Sequence, residues 1–167
     1  MAASLTHVLA ELSGHDQLAT LLAVDIPASW PPGEYDRDAL EFFKDKLEVA
    51  DEEQRGWYGW YVMSLAGDGA RQALVAAAGY LGPPSDGAVE IGYSVIPEAR
   101  GKGYAAEIVE ALVSQAFQAP QVSRVIAHTQ NDNAASASVL GRCGFQTVGV
   151  GADPGSTRYE RARHAEA

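Results

Sequence analysis

One stretch limits the folds open to this chain more than any other: Glu90-Ile-Gly-Tyr-Ser-Val-Ile-Pro-Glu-Ala-Arg-Gly-Lys-Gly-Tyr-Ala105. It reads as a strand, then a loop with two glycines, one Arg and one Lys, then a helix. Open N–H groups at a helix start, the helix dipole and nearby cations make a place for a phosphate. Gly101 and Gly103 lack a Cβ, so a pyrophosphate can come close to the backbone there. Arg100 and Lys102 add positive charge. The same residues would also serve as a plain strand-to-helix turn with surface cations.

The segments around this stretch set the architecture. After the loop, Ala105, Ile108, Val109, Leu112, Val113 and Ala116 keep helical spacing. Before it, Trp57 to Leu65, Ala73 to Leu81 and Ala88 to Ile96 read as strands. Gly67-Asp68-Gly69 and the Gly82 to Gly87 segment separate them as hairpin turns, so these strands should be antiparallel. Downstream come a strand at Arg124 to Thr129 and a helix at Asn133 to Arg142, with Ala134, Ala137 and Leu140 inward. Gly144 should end that helix in the left-handed region. Phe145 to Val150 and Thr157 to Arg161 read as final strands, and His164 to Ala167 as a frayed tail.

The first part of the chain differs. Thr6 to Leu12 alternates weakly and reads as a first strand. Ser13-Gly-His-Asp16 has the form of a capping box, with Asp for Glu, opening a helix over Leu18, Leu21 and Leu22. Ile26 to Gly33 is broken by Pro and Gly, and a second helix places Leu40, Phe43 and Leu47 on one face. The fold class is therefore α/β with an α+β-type order. A mixed, mostly antiparallel sheet of six to seven strands is flanked by about four helices.

The 167 residues suit one domain, with 1–56 as a helical part and 57–163 as the sheet. A net charge of −10 and an isoelectric point near 4.7 argue against nucleic acid or an anionic membrane as partners. With Cys143 as the lone cysteine, no internal disulfide and no cysteine metal cluster can form. No apolar run reaches membrane-spanning length, and no basic-then-apolar signal opens the chain. The expectation is a cytoplasmic monomer or homodimer with no metal.

Two other phosphate motifs compete. The nucleotide P-loop pattern is absent. The dinucleotide fingerprint is matched by Gly101, Gly103 and Ala106, but Pro97 to Arg100 separates these glycines from the strand. That fold also wants an acid about 20 residues on, and Asp132 comes late.

A second constellation, Asn131-Asp-Asn-Ala-Ala-Ser-Ala-Ser-Val-Leu-Gly-Arg-Cys-Gly-Phe145, follows the Arg124 to Thr129 strand. Together with the glycine loop it resembles the second half of the GNAT superfamily of acetyl-CoA-dependent N-acetyltransferases, over roughly Trp57 to Arg161. Glu90-Ile-Gly-Tyr93 and the Asn133-x-x-Ser136 spacing look most like the branch of ribosomal-protein N-terminal acetyltransferases. The resemblance implies a sheet splayed at its centre, with the pantetheine arm of acetyl-CoA in the gap. Ser94, Val95 and Ile96 would bond that arm through their backbone, with the Val95 N–H on the thioester oxygen. Arg100, Gly101, Lys102, Gly103, Tyr104 and Ala105 would wrap the pyrophosphate, and Asn133 would bond the arm from the other side. Many members carry a Tyr acid where this chain has Leu140; Ser136 is the substitute in the resembling branch.

An attacking amine must be neutral, so a base is needed. Glu90 is the first candidate and shares a strand face with Gly92 and Ser94; His128 is the second. Trp30, in an irregular loop, and His128 are the candidate substrate contacts. The implied reaction moves acetyl from acetyl-CoA to a primary amine, a protein N-terminus or a small molecule, by direct attack. The alternatives are a CoA-binding module of the same fold without catalysis, and a dinucleotide-dependent oxidoreductase.

Overall fold

The computed structural model describes residues 1–65 and 70–163. Its helices are α1 (Leu5–Ser13), α2 (His15–Leu22), α3 (Arg37–Val49), α4 (Tyr104–Gln118) and α5 (Ala134–Arg142). Its strands are β1 (Gly59–Met63), β2 (Leu74–Tyr80), β3 (Ala88–Val95), β4 (Arg124–Gln130), β5 (Gln146–Val150) and β6 (Ser156–Ala162). The six strands form one sheet in the order β1-β2-β3-β4-β6-β5. Neighbours are antiparallel except β3 and β4, which run parallel because α4 carries the chain back between them. The Gly67-Asp68-Gly69 turn and the His164 to Ala167 tail lie outside the described residues.

The start of the chain departs from expectation. Thr6 to Leu12 is helical, not a strand, because Leu5, Val8 and Leu12 recur at helical spacing and Val8 is fully buried. A true capping box sits at Ser4: its hydroxyl accepts the His7 N–H at 3.3 Å, and His7 Nδ1 accepts the Ser4 N–H at 3.1 Å. The box expected at Ser13 does not form. The Ser13 hydroxyl donates back to Leu9 C=O at 2.8 Å, and α2 starts after Gly14 without a side-chain cap. Residues 1–3 extend the sheet instead: Tyr61 N–H donates to Met1 C=O, and Ala3 N–H to Gly59 C=O, both at 2.8 Å.

Strand alternation divides the sheet into two faces. Tyr61, Ala77 and Ser94 lie in register on the face covered by α1 to α3, where the Tyr61 hydroxyl meets Glu11 of α1. Tyr80, Ile91 and Tyr93 lie on the other face, where the Tyr80 hydroxyl donates to Leu112 C=O of α4 at 2.6 Å. Apolar side chains fill both layers, with Val8, Leu18 and Leu47 on one side and Val109, Val113 and Leu140 on the other.

Glu11 is the exception inside the first layer. It is 5% exposed, yet its carboxylate accepts three donors: Trp30 Nε1 at 2.6 Å, the Tyr35 hydroxyl at 3.1 Å and the Tyr61 hydroxyl at 2.5 Å. A buried carboxylate is tolerated when hydrogen bonds replace its water. Burial, reinforced by the Glu11 charge, pushes both phenols well above the usual tyrosine range, so both stay protonated donors. The cluster ties the loop before α3 to α1 and β1. Glu11→Ala would leave an indole and two phenols unpaired in the core. It should cost about 3 kcal/mol or more, seen as a lower urea midpoint with an unchanged slope. Glu11→Gln, which keeps one acceptor oxygen, should cost clearly less.

Candidate active site

The site is built on an incomplete ladder. Strands β3 and β4 pair from Ala88↔Arg124 to Ile91↔Ala127 and then part, although β3 runs on to Val95 and β4 to Gln130. On the β2 side, Leu81 N–H donates to Glu90 C=O at 3.1 Å and Ile96 N–H to Val75 C=O at 3.0 Å. Antiparallel groups alternate, so Glu90, Gly92, Ser94 and Ile96 turn their backbone toward β2. Tyr93 and Val95 turn theirs toward β4, beyond its last pair with β3. Their N–H groups thus face the gap. The Val95 C=O is held by Arg100 Nε at 3.1 Å.

This corrects part of the sequence reading. Of Ser94, Val95 and Ile96, only Val95 directs its N–H into the gap; Ile96 spends its own on Val75. Tyr93 was missed. Strand alternation shows that odd and even residues differ, but not which set is already bonded.

A cleft of about 390 Å³ opens along this gap, lined among others by Tyr35, Phe42, Leu81, Glu90, His128 and Ser136. Glu90 lies opposite Ile126 in the β3–β4 register, and His128 follows two residues on, on the same face. Their side chains meet, Glu90 Oε1 to His128 Nδ1 at 2.8 Å. A carboxylate can only accept, so Nδ1 carries the proton and Nε2 of a neutral ring keeps its lone pair. The two residues read as rival bases are one unit. The imidazole is the more enclosed partner, with its side chain 17% exposed against 36% for Glu90.

A second pair stands on the opposite face of β3. The Tyr93 and Ser136 hydroxyls are 2.8 Å apart. Burial pushes the Tyr93 phenol above its usual range, and the hydrogen bond with Ser136 offsets this in part. Asn133 caps α5, its side-chain oxygen accepting the Ser136 N–H at 3.0 Å. Gly144 ends that helix in the left-handed region, at φ +77°.

The glycine loop is open to solvent at Arg100, Gly101, Lys102 and Gly103. Gly101 and Gly103 have φ of +73° and +88°, and a Cβ built on either would meet nothing within 4 Å. Space does not demand glycine here; the left-handed backbone does. Gly103 starts α4 with no side-chain cap, so the first N–H groups of that helix, at Tyr104 and Ala105, remain available.

Trp30 does not reach the cleft. It is 3% exposed, bonded to Glu11 and packed edge-on to Tyr35 with ring centres 5.8 Å apart. Its place in an irregular Pro-rich loop suggested exposure, but the Glu11 acceptor draws the indole inward. The aromatic wall comes from Tyr35, Phe42 and Phe43 instead. The adjacent Phe42-Phe43 pair was the available signal, since a helix can bury only one of two neighbours in the same core. Among the described residues, no group of three or more His, Cys, Asp or Glu is placed to hold a metal ion, and no helix is long and apolar enough to cross a membrane.

This geometry agrees with the comparisons. The family model for the acetyltransferase (GNAT) domain matches residues 9–146, and the chain belongs to that family. It is an acyltransferase of the N-acetyltransferase kind. The uncharacterized N-acetyltransferase YjdG of Bacillus subtilis (strain 168) is 28% identical over 125 residues, which is 74% of this chain and 71% of that protein. Two solved structures share the fold. A spermidine N-acetyltransferase from Vibrio cholerae matches with TM-score 0.62 and 17% identity over 97% of this chain and 93% of its own. A ribosomal-protein-S5-alanine acetyltransferase from Vibrio fischeri matches with TM-score 0.57 and 18% identity over 96% and 86%. One parallel pair in an otherwise antiparallel sheet is also unlike the parallel sheet of a dinucleotide-binding fold, which removes the oxidoreductase alternative.

Asn133→Ala should cost about 1 kcal/mol through loss of the α5 cap, measured by urea denaturation.

Proposed function

We propose that this chain moves an acetyl group from acetyl-CoA to a primary amine by direct attack within the β3–β4 gap. The observation that carries the reading is the early end of that ladder, which leaves the Tyr93 and Val95 N–H groups facing a cleft with paired titratable and hydroxyl side chains on its two sides.

The residues present fit such a ligand. Arg100, Gly101, Lys102, Gly103, Tyr104 and Ala105 offer cations, close backbone approach and the open start of α4 to the pyrophosphate. The Val95 N–H, with that of Tyr93 beside it, is positioned to hydrogen-bond the arm and polarise the thioester oxygen. Asn133 borders the same cleft. When bound, acetyl-CoA supplies an activated acyl carbon and a thiol leaving group. Glu90 orients the His128 ring through Nδ1, and His128 Nε2 removes the amine proton. This assigns Glu90 the positioning part and His128 the base, reversing their order in the sequence reading. Ser136 stands near the leaving-group side. Phe42 and Leu81 form an apolar shoulder at the acceptor end of the cleft. The two solved relatives named above act on a polyamine and a ribosomal protein, so likeness of fold does not choose the acceptor.

Calorimetry with CoA and acetyl-CoA, then a panel of amines with mass-spectrometric detection of acetylated product, tests the reading. Gly103→Val, which forces a branched side chain into a left-handed position, should weaken CoA binding by about tenfold or more. His128→Ala should lower kcat by about 100-fold, and Glu90→Gln by less, with CoA affinity little changed in both. Undiminished turnover in His128→Ala would dismiss the imidazole as base.

A further inference from the structure

We infer that the acceptor is a small primary amine with a flat apolar group and no carboxylate, that group lying over Gly92 between Leu81 and Phe42 and the amine at the Glu90–His128 pair. The inference rests on the acetyl-CoA reading above and narrows the acceptor that reading leaves open.

A glycine inside a strand costs stability, and it marks a bulge or a place where a ligand or another backbone comes close. Two glycines face each other here, Gly79 on β2 and Gly92 on β3. The fold itself explains Gly79: its φ is +139°, and the Tyr58 carbonyl fills the place of a Cβ. Nothing of the kind explains Gly92. Its φ is not left-handed, and the β2–β3 ladder passes it without a shift of register. A Cβ there would meet Leu81 Cδ1 alone, at an ordinary 3.6 Å. Backbone and packing would both admit a side chain, and the space kept open instead belongs to the cleft.

The walls of that space suit an apolar body. Leu81 reaches over Gly92 from the end of β2, and Phe42 lines the same cleft from α3, edge-on to Phe43 with ring centres 5.3 Å apart. Both Leu81 and Phe42 are exposed, so a ligand's apolar group would take their surface out of water. On the Val95 side the slot is closed, because Gly33 sits on Ser94 so tightly that a Cβ would strike the Ser94 hydroxyl. Glu90 stands two residues from Gly92 on the same strand face, about 7 Å away, a span for a linker of about two carbons between ring and amine. The amine nitrogen bonds the acetyl carbon, the C–S bond breaks with its electron pair going to sulfur, and the amine proton goes to His128 Nε2.

Charge and size sort the rival acceptors. The lining carries three carboxylates, Glu34, Glu90 and Asp153, and among the described residues no Lys or Arg. Lys46 stands on the Phe42 ring, Nζ 5.5 Å from its centre, outside the lining. His128 is neutral when it acts as base, so it offers no countercharge. A free amino acid would therefore bring its carboxylate against Glu90 with nothing to pair it. A polyamine would set further ammonium groups against Leu81 and Phe42. Glu34 and Asp153 are exposed, so water and salt screen their pull on such a chain. A protein N-terminus would press peptide N–H and C=O groups on the same apolar walls, at the cost of their water. The cleft of about 390 Å³ also takes the end of the pantetheine arm, which leaves space for a ring and a short linker.

The test gives the full chain acetyl-CoA and a matched set of acceptors: phenethylamine, L-phenylalanine, L-phenylalanine amide, ethylamine, putrescine and a short peptide that begins with phenylalanine. Phenethylamine should have the highest kcat/KM. L-Phenylalanine should fall about 100-fold below it, and the uncharged amide should recover most of that loss. Ethylamine and putrescine, which lack the ring, should fall about tenfold or more. Gly92→Ala should not lower the urea midpoint, since Ala suits a strand better, yet it should raise the KM of phenethylamine about tenfold. Leu81→Ala, at an exposed position, should narrow the preference for phenethylamine over ethylamine. Equal use of L-phenylalanine overturns the inference. So does a preference for putrescine or the peptide, or a folded Gly92→Ala chain with unchanged KM. A folded chain that binds no CoA, or that yields no product from any amine, removes the parent reading as well, whereas CoA binding with acetylation of other amines in preference removes this one alone.

Discussion

Everything at the site depends on two neighbouring strands that stop pairing before they end. A sheet interior normally satisfies every backbone N–H and C=O, and an unpaired buried group is expensive. Here some of those groups go without a strand partner where β3 and β4 part. The junction is the single parallel one, where β3 and β4 are joined through α4 rather than through a tight turn. A hairpin would force its strands together at the connected end; a helical crossover does not. One of the orphaned carbonyls, that of Val95, is taken by Arg100 from the loop that follows. The same loop that frees the helix start thus also braces the strand end.

The two-residue period of a strand then sorts the chemistry. Residues of β3 alternate between a face under α1 to α3, carrying Glu90, and a face under α4 and α5, carrying Tyr93. Each meets a partner from the segment that follows the gap: His128 at the far end of β4, and Ser136 in the first turn of α5. A shift of register by one residue would exchange the two pairs and empty both. Gly79, opposite Gly92, helps hold that register. Its φ of +139° and the Tyr58 carbonyl beside it leave no room for a side chain, so β1 and β2 lock together where the cleft floor begins.

Much of this was legible in the sequence. Every strand and helix from β1 onward falls within a residue or two of where spacing and turn residues put it, including β5, which is exposed along its whole length. The first helix did not, since a short run with Leu5, Val8 and Leu12 also alternates weakly and its capping box uses His7 instead of an acid. The family resemblance pointed to the glycine loop, Val95, Asn133 and Ser136 as candidates, and of these Asn133 and Ser136 line the cleft. The pairing of Glu90 with His128 could not be read, because it depends on the β3–β4 register between residues far apart in the chain. Neither could the partner of Trp30, because Glu11 sits on a segment that alternation misread.

The Glu11 cluster bears on how such a chain can change. Its three donors come from the loop before α3 and from β1, and they fasten that loop by its root. Phe42, which faces the cleft from α3, takes no part in the knot and is 39% exposed; Leu81, at the opposite rim, is 44% exposed. Tyr35 belongs both to the knot and to the cleft wall, whereas the exposed rim residues Phe42 and Leu81 stand outside the knot. New contact surfaces can be tried at the rim, one substitution at a time, while the scaffold beneath them holds its shape.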